Sequence, residues 1–262
     1  MRLGMPALIE MDTVEQNAAL CRELGLDFIE LNANLPMYQR PDTAHFRRVA
    51  DTYGVFYTIH LDANMDVCDF NPRVARAYTD TVLETVRMAP ELGVPVLNMH
   101  LSRGAYFTLP DKKVFLIEKY REDYLARMAA FRDLCQQAVA GRDMIITVEN
   151  TTGFTDVQKE AVDVLLQSPV FHLNYDVGHS ACTGGQDEAF ILARKDRLRH
   201  MHLHDALPEK KRDHMTLGTG KLDIPALLSL MEGKDKTVVL EVKTEDALRS
   251  SVCDLRERGM IK

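Results

Sequence analysis

The nonapeptide "VLNMHLSRG" at residues 96–104 decides the fold, because its apolar run ends in a histidine immediately before a turn. The same kind of ending recurs in five other, widely separated segments. These endings are His60 in "YTIHL", Glu149 in "ITVEN", Asp176 in "NYDVGH", His202 in "RHMHLHD" and Glu241 in "VVLEV". With His100, they make six polar endings, and six in one chain need a common structural cause.

Short apolar runs alternate with longer amphipathic stretches along the chain. This pattern predicts eight strands, each followed by a helix. The predicted strands are 2–8, 27–32, 55–60, 95–100, 144–149, 171–176, 198–204 and 237–242. Such alternation gives a parallel sheet covered by helices, and eight units in 262 residues favour a closed barrel. We therefore expect an α/β fold in which residues 1–262 form a single (β/α)8 TIM-barrel domain.

The polar endings then have a common location, because loops at the C-terminal ends of barrel strands build the active site. Residues two apart on a strand share a face. His100 therefore shares a face with Asn98, whereas Leu97 and Met99 occupy the other face. In the other strands, too, polar residues share the face of the strand-end residue and apolar residues occupy the opposite face. We expect the polar faces to point toward the barrel mouth and the apolar faces to pack under the helices.

Composition narrows the choice of partner and compartment. The net charge of −7 argues against a general affinity for nucleic acid or anionic membranes, although a local basic cleft is compatible with it. No apolar stretch has the length of a membrane span or of a signal-peptide core. The five scattered cysteines contain no CxxC pair, which favours reduced thiols. We expect a cytoplasmic protein without a membrane partner, and its subunit count stays open, a homo-oligomer included.

Glutamate, aspartate and histidine are ligands for divalent ions such as zinc, manganese, magnesium or cobalt. Crowded carboxylates repel one another, and a bound dication removes that repulsion. The residue types therefore predict one metal site from the last four strands. Its ligands would be Glu149, Asp176, His202 and Glu241. The alternative is four separate polar strand ends that hydrogen-bond to loops.

A further set of histidines belongs to the same predicted mouth, namely His60, His100, His179 and His214. They could bind additional metal ions or hold substrate through hydrogen bonds. Lys243, two residues past Glu241, could bind an anion or sugar hydroxyls, or could be solvated. The turn "GTGKLD" at residues 218–223 could cradle phosphate through its amides, or could be a simple tight turn.

Seven stretches together resemble the xylose-isomerase-like TIM-barrel superfamily, and the resemblance covers essentially the whole chain. They are "YTIHLD", "LNMHLSRG", "ITVENTTG", "NYDVGHS", "HMHLHDA", "LGTGKLDI" and "VVLEV". The superfamily holds sugar isomerases and epimerases as well as metal-dependent apurinic-site endonucleases.

Resemblance to the epimerase-type enzymes implies one metal held by Glu149, Asp176, His202 and Glu241. It further implies that Glu149 and Glu241 lie on opposite faces of a bound sugar and move a proton through an enediolate. His179 would contact the substrate. A carboxylate beside a metal-polarised carbonyl suits this proton transfer on chemical grounds alone. We therefore expect a metal-dependent sugar or sugar-phosphate isomerase or epimerase with a small carbohydrate substrate.

Resemblance to the endonuclease branch implies three zinc ions, with His60, His100, His179 and His214 as extra ligands. Three departures count against it. Arg212 stands where that branch has an aspartate, and Asp213 is displaced by one residue. The N-terminus lacks the branch's opening histidine motif, and "LDANMD" after His60 lacks the aromatic residue inserted into DNA. The endonuclease is the alternative function, and a barrel that retains metal without turnover is the third.

Overall fold

The computed structural model describes residues 1–261, and within them eight parallel strands form a closed barrel. The barrel strands are β1 (Arg2–Pro6), β2 (Phe28–Asn32), β3 (Phe56–His60), β4 (Val96–His100), β5 (Ile145–Glu149), β6 (Phe171–Asp176), β7 (Leu198–Leu203) and β8 (Thr237–Leu240). Each strand pairs with its neighbour in sequence, and β8 pairs with β1 to close the ring. The predicted (β/α)8 TIM barrel is confirmed.

Helices connect the strands and cover the outside of the barrel. They span Val14–Glu23, Pro36–Gln39, Thr43–Tyr53, Pro72–Leu92, Leu116–Lys119, Arg121–Val139, Asp156–Leu166, Val177–Cys182, Glu188–Leu192, Ile224–Ser229 and Glu245–Glu257. Several begin at side-chain caps, which satisfy amide groups that the first helical turn leaves free. Thr13 and Thr155 form capping boxes with the glutamines three residues later. In residues 1–261, no helix combines the length and apolarity that crossing a bilayer requires.

The first and last strands end earlier than the sequence predicted. At the end of β8, the amide of Glu241 still donates to Leu203 O at 2.9 Å. The next amide, from Val242, donates instead to Leu240 O at 2.9 Å. The chain therefore leaves the sheet at Glu241, and this carboxylate sits at the rim.

Two short hairpins were not predicted and extend from the mouth. Tyr106–Thr108 pairs with Lys113–Phe115 after β4, and Asp205–Leu207 pairs with Arg212–Met215 after β7. Their arms have only three or four residues, too few to show a clear alternation of polar and apolar side chains. The second hairpin matters for function because it carries Asp213 and His214.

The barrel interior is arranged in layers from floor to mouth. Phe28 and Phe56 stack at the floor with ring centroids 5.0 Å apart. A buried polar layer above them contains Glu30, Thr58, Asn98, Thr147, Asn174 and His200. The polar strand ends lie above that layer. The alternate residues, including Leu97 and Met99, are buried in the apolar core beneath the helices.

His172 near the start of β6 is buried without a full set of partners. Its Nε2 lies 3.1 Å from Pro169 O, whereas its Nδ1 has no hydrogen-bond partner within residues 1–261. Burial, assisted by the charges of Arg197 and Arg199, lowers the pKa of His172 to about 4. The folded state therefore holds a neutral imidazole, whereas the unfolded chain takes up a proton below a pKa of about 6.5.

We expect the contribution of His172 to stability to fall between pH 6.5 and pH 4 because the unfolded state then binds the extra proton. His172 costs almost nothing at pH 7, and the free energy of unfolding lost at pH 5 amounts to about 2 kcal/mol. His172→Gln should flatten this part of the pH profile in urea unfolding at pH 5 and pH 7. The matched control is His45→Gln, which removes an imidazole from the surface. Equal pH profiles for His172→Gln and the unchanged protein would contradict the prediction.

Candidate metal centre

The predicted quartet meets around one nitrogen atom at the barrel mouth. His202 Nδ1 lies 3.1 Å from Glu241 Oε2, 3.3 Å from Glu149 Oε2 and 3.9 Å from Asp176 Oδ2. The three residues on β5, β6 and β7 are at most 1% exposed. The barrel thus brings together four side chains that span more than ninety positions of sequence, from 149 to 241.

The spacing of these atoms suits a bound cation. Four ligands placed 2.0–2.2 Å from a tetrahedral zinc ion are about 3.3–3.6 Å from one another. Direct charge-assisted hydrogen bonds are shorter, at about 2.7–2.9 Å. His202 Nδ1 and Glu241 Oε2 are buried and lack hydrogen-bond partners within the part of the chain that the structure describes. Buried polar atoms of this kind need a partner, and a divalent ion between them would supply it.

One flanking group consists of His60, His100 and Glu149. The Nε2 atoms of the two histidines are 3.1 Å apart, and they lie 3.4 Å and 3.3 Å from the Glu149 carboxylate. His60 Nδ1 lies 2.7 Å from the carbonyl of Leu61 and donates its proton there. In its neutral form, the ring would therefore present an Nε2 lone pair to the cluster, which is the form that binds a metal.

A second flanking group consists of His179, Asp213 and His214. His179 Nδ1 lies 3.2 Å from Asp176 Oδ2, and its Nε2 lies 4.0 Å from Asp213 Oδ2. Asp213 Oδ1 is 2.8 Å from His214 Nδ1. His214 has a φ of 50°, in the left-handed region. The displaced Asp213 therefore still lies within reach of both histidines, although the sequence alone suggested a lost ligand.

Glu149 is the central carboxylate because its two oxygens face different groups. Oε2 accepts hydrogen bonds from Asn98 Nδ2 at 2.5 Å and Asn174 Nδ2 at 3.1 Å. Oε1 faces His100 and His179 at 3.3 Å and 3.6 Å. Burial alone would raise the pKa of Glu149, but the surrounding imidazoles outweigh burial and hold it well below its usual value. Glu149 is therefore an anion that the quartet Glu149, Asp176, His202 and Glu241 shares with the flanking groups.

Opposite charges dominate the electrostatics of the cluster. Burial disfavours the charged form of His202, but Glu149, Glu30 and Glu241 raise its pKa well above the ordinary value. The pKa of His179 likewise rises to about 9 against burial, because it contacts Glu149 and Asp176. Each imidazole proton balances a buried carboxylate, and a divalent cation would provide the same compensation.

Asp176 is held in place from two sides. Its Oδ1 accepts the amide of His179 at 2.7 Å and so caps the helix Val177–Cys182. His204 Nε2 lies 3.1 Å and 3.2 Å from the two carboxylate oxygens. The backbone amide of His214 donates to His204 Nδ1 at 2.8 Å. This bond leaves the imidazole proton on Nε2, so His204 donates to Asp176.

The remaining candidates lie at the rim. Lys243 Nζ is 2.9 Å from Glu241 Oε1, and its side chain is 60% exposed. In the "GTGKLD" turn, the amides of Gly220 and Leu222 donate to the carboxylate of Asp205 at 2.8 Å and 3.1 Å. Those amides are already satisfied, which favours the tight turn over the phosphate cradle.

Sequence reasoning missed Glu30 and gave His204 no role in the site. Glu30 is 3% exposed and its Oε1 lies 2.8 Å from His202 Nε2. A signal was available, because Glu30 interrupts the otherwise apolar centre of the predicted strand 27–32. It was overlooked because it does not stand at the end of its strand.

Within residues 1–261, five groups of side chains place ligand atoms within 4.8 Å of one another. They are Asp176/His204/His214/Glu241, Glu30/His200/His202, His60/Glu149/His202, His179/Asp213/His214 and Glu149/Asp176/His179. Four of the five lie at the mouth and overlap there. The arrangement can hold one divalent ion or several, and it offers buried carboxylates beside them for proton transfer.

Comparison with solved structures finds the same fold in several enzymes. A D-tagatose 3-epimerase-like protein shares 19% identity with a TM-score of 0.77, covering 100% of both chains. The D-psicose 3-epimerase of Clostridium cellulolyticum with D-tagatose shares 13% identity with a TM-score of 0.75, covering 100% of this chain and 99% of that chain. Endonuclease IV from Thermus thermophilus shares 19% identity with a TM-score of 0.67, covering 98% of this chain and 100% of that chain.

At these identities the structural likeness establishes the fold alone. Comparison with curated proteins gave no match. The sequence profile described as xylose isomerase-like TIM barrel matches residues 18–258. Because this match covers most of the chain, the protein belongs to the xylose isomerase-like TIM barrel family.

Proposed function

We propose that this protein is a metal-dependent isomerase or epimerase that acts on a small sugar or sugar phosphate. The observation that carries the proposal is the meeting of Glu149 and Glu241 at His202 Nδ1, at 3.3 Å and 3.1 Å. Two carboxylates from well-separated strands of the barrel can flank one substrate carbon beside a cation. The sugar epimerases among the similar structures support the assignment without fixing the substrate.

The metal ligands in this proposal are Glu149, Asp176, His202 and Glu241. A bound dication would polarise the substrate's carbonyl or hydroxyl oxygen. The mixture of imidazole and carboxylate suits zinc or manganese, and cobalt or magnesium also fit parts of the set. The free, mostly buried cysteines are compatible with the proposed cytoplasmic location. The closed barrel supports the proposal that residues 1–262 form a single domain.

The two glutamates differ in ways that divide the proton transfer between them. The Glu241 side chain is 15% exposed at the rim, where it can reach a substrate entering from the mouth. We assign to it the removal of the proton next to the carbonyl. The Glu149 side chain is 2% exposed and is fixed by two asparagine amides. It would return a proton from the inner side after taking one from His179, whose Nδ1 lies 3.6 Å from Glu149 Oε1 and whose pKa is raised to about 9.

Substrate contacts come from residues around the two carboxylates. His60, His100 and His179 surround Glu149 and can donate or accept hydrogen bonds with sugar hydroxyls. Lys243 lies further out, where its ammonium group could hold a phosphate or a terminal hydroxyl. The reacting carbon would then lie between the glutamates, with the far end of the sugar toward solvent.

A second candidate is a multi-metal phosphodiesterase, the apurinic-site endonuclease included. The specific observation in its favour is that His60/His100/Glu149 and His179/Asp213/His214 each supply three side chains in reach of a further ion. Several close metal ions would stabilise attacking and leaving oxygens in phosphoryl chemistry. The net charge of −7 opposes a nucleic-acid partner, which keeps this candidate second.

Glu241→Gln should lower the rate of solvent-proton exchange in the true sugar substrate by about 100-fold or more, because the base is lost. The measurement is deuterium incorporation from D2O, followed by NMR across a panel of keto-sugars and their phosphates. The matched control is Glu209→Gln, which removes a half-exposed glutamate paired with Lys221 and should leave the rate unchanged. Full exchange by Glu241→Gln would contradict the assignment.

The number of bound metal ions should separate the two candidates. We expect about one tightly held equivalent for the epimerase site and about three for the phosphodiesterase. Elemental analysis of the purified protein gives the number of bound ions. His214→Ala should lower this number only if the second flanking group, His179/Asp213/His214, holds an ion. Chelator-sensitive cleavage of a duplex with one abasic site would overturn the epimerase proposal. A protein that binds metal but shows neither proton exchange in sugars nor cleavage at abasic sites would favour the third hypothesis, a metal-binding barrel that is not an enzyme.

A further inference from the structure

A second polar cluster lies directly beneath the candidate metal centre and is centred on Glu30 of β2. Glu30 Oε1 lies 2.8 Å from His202 Nε2, and Oε2 lies 3.0 Å from His200 Nε2. The hydroxyl of Thr58 donates to Oε2 at 3.2 Å. Glu30 is 3% exposed and both histidines are 0% exposed. Three potential hydrogen-bond donors, namely Thr58, His200 and His202, thus surround this deeply buried carboxylate.

Distances identify this cluster as a hydrogen-bonded support, although its residues could in principle hold a metal ion. The 3.0 Å between His200 Nε2 and Glu30 Oε2 is the length of an ordinary hydrogen bond, and the 2.8 Å between His202 Nε2 and Glu30 Oε1 is the separation of a close ion pair. Ligands around a tetrahedral ion would be about 3.3–3.6 Å apart. The other nitrogen of His200 is also occupied, because Nδ1 lies 2.6 Å from Thr237 Oγ1. His200 therefore has no free lone pair to offer.

His202 joins the two layers, because each of its nitrogens faces a different one. Nε2 faces Glu30 below, whereas Nδ1 faces Glu149 and Glu241 above at 3.3 Å and 3.1 Å. A neutral imidazole has one N–H and one lone pair. An anion beneath Nε2 draws the proton to that side and leaves the Nδ1 lone pair for a cation.

We propose that Glu30 is a positioning residue that fixes the tautomer and ring orientation of His202 and thereby tightens binding of a divalent cation. The inference rests on the proposed metal centre, since it concerns the ligand that lies at its middle. The ring of His202 is turned so that Nε2, although 2.8 Å from Glu30 Oε1, makes no hydrogen bond within residues 1–261. Rotation of the ring toward the carboxylate would complete the bond.

Zinc alone is a suitable probe, with competition against a chromophoric chelator as the measurement on the full chain. Glu30→Gln keeps the size of the side chain but removes its charge, and it should weaken zinc binding by about 10–100-fold. The matched control is Thr58→Val. It removes a hydroxyl bound to the same carboxylate without touching His202, so the zinc affinity should stay close to that of the unchanged protein. Thermal melting checks that both variants are folded.

A spectroscopic measurement separates positioning from a merely structural role. In zinc-loaded protein labelled with 15N-histidine, we expect the His202 proton on Nε2 and none on Nδ1. The Nε2–H resonance should lie downfield and should move upfield in Glu30→Gln, because the charged acceptor is gone. The spectrum of the labelled wild-type protein gives the tautomer of His202 even if Glu30→Gln fails to fold.

Two results would overturn the inference and leave the proposed function intact. One is an unaltered zinc affinity in folded Glu30→Gln, and the other is an Nε2–H resonance of zinc-bound His202 that stays at the same position in that variant. If the wild-type protein bound no zinc, the proposed metal centre would be wrong, and both proposals would fail with it. These outcomes are distinguishable because the first two require zinc binding by the unchanged protein.

Discussion

The burial of negative charge inside a closed barrel is the constraint on which the rest of the structure depends. Glu30, Glu149 and Asp176 are each at most 3% exposed, and they lie within one narrow interior. An uncompensated buried carboxylate is strongly destabilising. Nearby groups therefore face these acids with a proton or an amide. The imidazoles, the asparagine side chains and the first turn of the helix Val177–Cys182 all serve this purpose.

The barrel converts a simple alternation along each strand into stacked layers with different tasks. Parallel strands in register bring equivalent inward residues to one height, as when Asn174 and Asp176 pair with His200 and His202. The floor is a pair of stacked aromatic rings, and polar groups of the middle layer hydrogen-bond to one another. The upper layer keeps atoms without partners among the described residues. The upper layer opens to solvent at the mouth, so ligands can reach those atoms.

The sequence allowed much of this arrangement to be predicted, because strand ends in a parallel barrel share one rim. The fold and the convergence of Glu149, Asp176, His202 and Glu241 follow from counting residues along strands. The hairpin Asp205–Met215 could not be predicted, because its arms are too short to carry a pattern. The position of Asp213 depends on that hairpin. Glu30 was not predicted because it lies in the middle of its strand, and the sequence of one strand does not reveal which imidazoles lie across the barrel.

The choice between sugar chemistry and phosphoryl chemistry depends on how the carboxylates are shared. Glu149 faces both His202 and His100, so an ion bound in either group would draw on the same anion. If the flanking groups hold ions, Glu149 is fully committed as a bridging ligand and can no longer accept a proton. If a single ion occupies the centre, Oε1 stays available between His100 and His179. Proton transfer by Glu149 and a full set of metal ions therefore exclude each other, whatever the substrate.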